Sequence, residues 1–156
     1  MMNPYEQRIV DDVARVGWHV IGVGPAADSD DPEEWFAYTI GLGKTFGWPE
    51  LICFGLDLSV MSHLLNDAVD ECRARTVEPA PGLVLNDVIE GFPARLEPTK
   101  PMADQYINSA RWFARHEGLP APSVLQLLWP DTNGIFPDEP GCSEEARELQ
   151  TPLEAA

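Results

Sequence analysis

Apolar residues recur at helical spacing at Ile9, Val13 and Val16, and this period opens the chain. Asn3 can cap that helix, Pro4 suits its first turn, Glu6 closes a capping box and Gly17 ends it. The run "WHVIGV" at 18–23 is β-branched and aromatic and predicts a strand. A second strand is expected over 35–42, with Phe36, Tyr38, Ile40 and Leu42 on one face and Trp35, Ala37, Thr39 and Gly41 on the other. The wholly apolar "LICFG" at 51–55 predicts a buried third strand. A helix then begins near Asp57 or Ser59. Met61, Leu64, Leu65, Ala68 and Cys72 form its stripe, and Arg73 and Arg75 suit its negative C-terminal end.

"EPAPG" signals a turn, and "LVLNDVI" and "FPARLEP" on either side of Glu90-Gly91 predict a hairpin. Pro93 confines the second arm to an edge or to a strand start. Thr99 is expected to cap a helix that turns Ala103, Tyr106, Ile107, Ala110, Phe113 and Ala114 inward and ends at Gly118. A last strand is expected over 124–131, stopped by Pro130, with an acidic tail from about Asp138 extended over the surface. The resulting order, α-β-β-β-α-β-β-α-β, leaves neighbouring strands without crossover helices. It predicts one α+β domain: a mixed, mostly antiparallel sheet or open barrel with about three packed helices.

The 156 residues suit a single domain, and 44% hydrophobic content suffices for a core. No stretch approaches the roughly 18 apolar residues of a membrane helix, and residues 1–13 lack the basic-then-apolar pattern of a leader. The expectation is cytoplasmic. Cys53, Cys72 and Cys142 form no Cys-x-x-Cys pair and lie away from His19, His63 and His116, so neither a disulfide framework nor a metal site is expected. A formal charge of −16 repels phosphate backbones and anionic membranes and suits a partner protein with a basic surface. The acid concentrates at 28–34 and 138–148, which read as solvated loop and tail. The first cluster starts Asp-x-Asp, but Glu33 stands where a calcium loop needs glycine.

The stretch "YTIGLGKTFGWPE" ends a phosphate-loop motif in Gly43-Lys44-Thr45, yet the first glycine of that motif is replaced by Tyr38. Gly47 and Pro49 also follow too closely for the helix such a loop must open. "GVGPAA" at 22–27 imitates a dinucleotide fingerprint but runs into Asp28, Asp30 and Asp31 rather than a helical stripe.

Two polar groups remain as ligand-binding candidates. Tyr38, Thr39, Lys44, Thr45, Trp48 and Glu50 surround the Gly-rich loop, and Gln126, Trp129 and Asp131 lie at the end of the last strand. In one reading the loop is a wide connection, with Glu50 paired to Lys44 and Trp48 packed over the sheet edge. In the other it is a pocket rim where Lys44 attracts an anionic group and Tyr38 and Thr39 donate hydrogen bonds. Gln126 either bridges to backbone or reads a ligand, and Asp131 either caps the turn towards Gly134, the favoured reading, or faces a site. Should the loop and strand end adjoin, Glu50 and Asp131 make an acid–base pair. Cys53 reads as an inert buried thiol, and local spacing assembles no nucleophilic triad.

The runs "FAYTIGLGKTFGWPELICFGL", "LLND" and "LQLLWPDTNGIFP" resemble a bacterial family, the domain-of-unknown-function 4262 family. Its pattern is carried by Tyr38-Thr39-x-Gly41, Gly47-x-Pro49-Glu50-Leu51, Gly55-Leu56, Asn66 and Gln126-x-x-Trp129-Pro130-Asp131, with Gly134, Phe136 and Pro137. The closing "LQTPL" is similar to that family's Gln-Pro-x-Leu ending with one residue inserted. Trp48 stands where the family usually shows His, and Asp138 where an aromatic is common, so a chemistry resting on that His would be missing here. The resemblance implies a shared fold and no established activity. Element order is similar, more loosely, to small split barrels that bind flavin. Two readings therefore stand: a non-catalytic protein- or ligand-binding module, and an enzyme or cofactor-binding protein with a pocket between residues 41–50 and 126–131. A homodimer through an exposed strand edge fits either.

Overall fold

In the computed structural model, Asn3 Oδ1 accepts the Glu6 backbone N–H at 2.7 Å and Glu6 Oε1 accepts that of Asn3 at 3.1 Å. The expected capping box thus starts α1 (Pro4–Val16), and Gly17, at φ 113°, ends it. The structure describes residues 2–24, 35–99 and 106–150. The acidic cluster at 28–34, Ala103 and the part of the closing motif beyond residue 150 lie outside them.

The strands are β1 (His19–Val23), β2 (Phe36–Ile40), β3 (Glu50–Phe54), β4 (Val84–Ile89), β5 (Phe92–Pro98) and β6 (Val124–Leu128). The remaining helices are α2 (Leu42–Phe46), α3 (Leu58–Arg75), α4 (Asn108–His116) and α5 (Glu144–Leu149). One open sheet runs β1-β2-β3-β6-β5-β4. Every neighbouring pair is antiparallel except β3 with β6, which is parallel. This is the expected α+β arrangement, with the sheet left open rather than closed into a barrel.

Both faces of the sheet centre are covered, which explains why residues 51–54 carry no polar alternation. Leu51 and Cys53 join Leu125, Leu127, Met61 and Leu65 beneath α3. Ile52 and Phe54 join Tyr38, Ile40, Ile9, Val13 and Phe113 beneath α1 and α4. Pro93 sits at the second position of β5, near the strand start, so an interior strand tolerates it.

Several expectations are corrected. The second strand stops at Ile40, because Gly41 at φ 102° turns the chain and Leu42 opens a five-residue helix. Helix α4 begins at Asn108, and Thr99 bridges in extended conformation; residues 100–105, where the helix expected after Thr99 would start, lie outside the described residues. The last strand ends at Leu128, short of residue 131. The acidic tail is not simply extended: Ser143 accepts the Ala146 N–H at 3.2 Å and starts α5.

Two devices close the sheet's exposed parts. Along β4, the buried Glu71 accepts the backbone N–H groups of Asn86 and Asp87 at 3.2 and 2.8 Å. Arg75, ion-paired to Glu71 at 2.8 Å, donates to the Val84 carbonyl. At the far end of β3 and β6, α5 is clamped by Gln150, which accepts the Trp129 N–H at 2.9 Å and donates to the Trp129 carbonyl at 2.7 Å. A Cβ at Gly55 (φ 88°) would stand 2.5 Å from the Leu149 carbonyl oxygen, so only glycine lets α5 lie this close.

Candidate functional site

The phosphate-like loop already holds an anion of its own. Glu50, the first residue of β3 and 4% exposed, points its carboxylate at the start of α2. Its Oε1 accepts Thr39 Oγ1–H at 2.8 Å and Leu42 N–H at 3.3 Å, and its Oε2 accepts Gly41 N–H at 2.9 Å. The Gly43 N–H adds to the set. Thr39 is fixed in turn, because its hydroxyl oxygen accepts the Leu51 N–H at 2.9 Å. Burial pushes the Glu50 carboxyl up to about 7, against the pull of Thr39 and the three backbone donors.

Glu50 lies on the floor of a cleft of ≈ 340 Å³ at the end of the sheet where β3 and β6 begin. One wall is the α2 segment, with Gly43, Lys44, Trp48 and Pro49. The second is α4, with Ala110, Phe113 and Ala114, and the third is the connector from Leu119 to Ser123. Lys44 stands on the rim, its ammonium 2.7 Å from Glu117 and 6.0 Å from the Phe113 ring centroid. The volume falls in the range of small-molecule sites, and the walls are mainly apolar with few polar groups.

Of the sequence candidates, Lys44, Trp48 and Glu50 line this cleft, and Thr39 holds Glu50. Thr45 donates to the Gly17 carbonyl at 2.6 Å and ties α2 to the end of α1. Tyr38 faces α4, where its hydroxyl accepts the Ser109 N–H at 3.2 Å, and burial raises its pKa. The pairing of Glu50 with Lys44 is not formed, since each has another partner.

The second group lies elsewhere. Because β6 runs parallel to β3, with Glu50 opposite Val124 and Ile52 opposite Gln126, the start of β6 adjoins the loop and its end points away. Trp129 accordingly donates to the Phe54 carbonyl at 2.8 Å, at the far end of β3. The single pocket expected between residues 41–50 and 126–131 is therefore split, and Glu50 cannot work with Asp131. Gln126 donates to the Gln150 carbonyl at 2.7 Å. Asp131 accepts the N–H groups of Asn133, Ile135 and Ser143 at 2.9, 3.0 and 2.8 Å. Those donors, Ile135 and Ser143 foremost, hold its carboxyl below the usual range. It caps the turn, as the sequence suggested.

Burial pushes the Cys53 thiol up to about 12, which removes it as a nucleophile. Among the described residues no three His, Cys, Asp or Glu side chains gather as a metal site. No described helix is long and apolar enough to cross a membrane. The walls from α4 and residues 119–123 carry none of the candidates named from the sequence.

A family model described as "Domain of unknown function (DUF4262)" matches residues 12–143, most of the chain. No curated protein and no solved structure matches.

Proposed function

This chain belongs to the DUF4262 family, and we propose that it is a non-catalytic module binding a small, largely apolar ligand in the cleft between α2, α4 and residues 119–123. The saturation of Glu50 carries this reading. A general base must have a lone pair free for substrate, yet Thr39 and the loop amides of 41–43 converge on this carboxylate. Its work is to hold the glycine loop open as a preformed rim. Lys44 spends one of its three N–H donors on Glu117 and keeps two for a polar group at the ligand's outer end.

Ala114, 6% exposed on the α4 wall, provides the test. An apolar fragment library screened by thermal shift and saturation-transfer NMR is expected to yield ligands that raise Tm by several degrees. Ala114→Leu is expected to fill the cleft and abolish those shifts, with circular dichroism checking that the fold is kept. A library without hits, or hits that bind Ala114→Leu equally, would refute the cleft as the site. A second, catalytic reading rests on the Glu50 carboxyl at about 7, and it needs that group to give up a backbone donor as substrate enters.

A further inference from the structure

We propose a second small-molecule site, in the open groove of ≈ 530 Å³ between α2 and the C-terminal end of α3, for a zwitterionic amino acid with an apolar side chain. It adjoins the α4 cleft, with which it shares Trp48 and Glu78, while Phe46, Arg73, Thr76 and Val77 line this groove and not that cleft. Arg73 lies on the groove with its guanidinium carbon 5.7 Å from the ring centroids of both Trp18 and Phe46. The rings hold the cation in place without using its N–H donors, and Arg73 has no hydrogen bond or ion pair among the described residues. Such a pre-set fork suits a carboxylate, which it can bind through two parallel hydrogen bonds.

The opposite charge is close by. Thr76, left-handed at φ 54°, ends α3 and reverses the chain, so that Val77 and Glu78 also line the groove. Glu78 and Arg73 are both exposed and do not pair with each other. Two opposite charges set apart on one groove match a ligand carrying both, an ammonium for Glu78 and a carboxylate for Arg73. Val77 and the stacked rings of Phe46 and Trp48, centroids 4.3 Å apart, line the same groove and offer an apolar bed for the side chain. A chain of net charge −16 repels a simple anion, whereas a zwitterion has no net charge to be repelled.

The probe is L-phenylalanine, compared with 3-phenylpropionate, which lacks the ammonium, and phenethylamine, which lacks the carboxylate. In NMR titrations of the full chain, L-phenylalanine is expected to shift the Phe46 ring and Val77 amide signals saturably, two residues that line this groove and not the α4 cleft. Each control should bind about tenfold or more weakly, as the loss of one charge-assisted contact implies. Arg73→Met should bring L-phenylalanine down to the affinity of phenethylamine, and Glu78→Gln to that of 3-phenylpropionate. Both side chains are exposed, so circular dichroism should show an intact fold. Ala114→Leu, which fills the other cleft, should leave this binding unchanged. Absence of a saturable shift, a control that binds as tightly as L-phenylalanine, indifference to Arg73→Met, or loss in Ala114→Leu would each overturn the assignment.

Discussion

Glu50→Ala is expected to lower stability by about 3–5 kcal/mol, the usual cost of removing one partner from a buried charged network. The substitution leaves the Thr39 hydroxyl and the N–H groups of 41–43 without their acceptor, in a place water barely enters. For a chain of this size the loss corresponds to a fall in Tm of roughly 10 °C or more. Chemical denaturation would measure it, and a loss below 1 kcal/mol would show that the loop amides find other partners.

Glu50→Gln isolates the charge. Burial pushes the folded carboxyl up to about 7, against an ordinary value of 4.5, so the folded state binds this proton more tightly than the unfolded chain. The stability from that proton is complete below about pH 4.5 and is lost as pH rises to about 7. Wild type should therefore lose on the order of 3 kcal/mol relative to Glu50→Gln across this window, with no further divergence outside it. Taking the difference removes the relief of general acidic repulsion, which both proteins share. A difference independent of pH would mean that the donors just offset burial, and one that grows as pH falls below 4.5 would mean that they outweigh it.

The second large effect is at the opposite end of the sheet. Gly55→Ala introduces a Cβ 2.5 Å from the Leu149 carbonyl oxygen and 2.7 Å from the Leu149 Cβ, on a backbone with φ 88°. The obstructing oxygen is main chain, so no rotamer change relieves the overlap and α5 must move as a unit. Positive-φ strain and overpacking together cost about 3 kcal/mol. Hydrogen exchange should show residues 144–150 losing protection by roughly 100-fold while the β3 amides hold theirs. Uniform loss across the sheet would mean that α5 is integral to global folding rather than a separable clamp.

The elements legible in the sequence were those whose stabilising contacts are local. The capping box of α1 needs only Asn3 and Glu6, and the two-sided burial of β3 shows in its unbroken apolar run. Helix α2 was hidden because its five residues rely on a carboxylate that arrives later, from the start of β3. Helix α5 had its signal in Ser143 followed by Glu144 and Glu145, with Arg147 in the last turn, but the acidity of the tail masked it. The parallel pairing of β3 with β6 is a long-range choice that neither strand's alternation records. That choice decided the site: it brought residues 119–123 to the glycine loop and carried Trp129 and Asp131 away. Half of the cleft was therefore visible as Lys44, Trp48 and Glu50, and half was not.

The Glu71–Arg75 pair against β4 has a consequence for how copies of this chain can meet. A fibril built by adding strand to strand needs two receptive borders on every subunit, one to join and one to be joined. Among the described residues the main-chain groups at 84, 86 and 87 are already spoken for, so the β4 border is a poor one to join. A sheet with one border blocked in this way would add strands only through the other, and addition of that kind would stop at a pair.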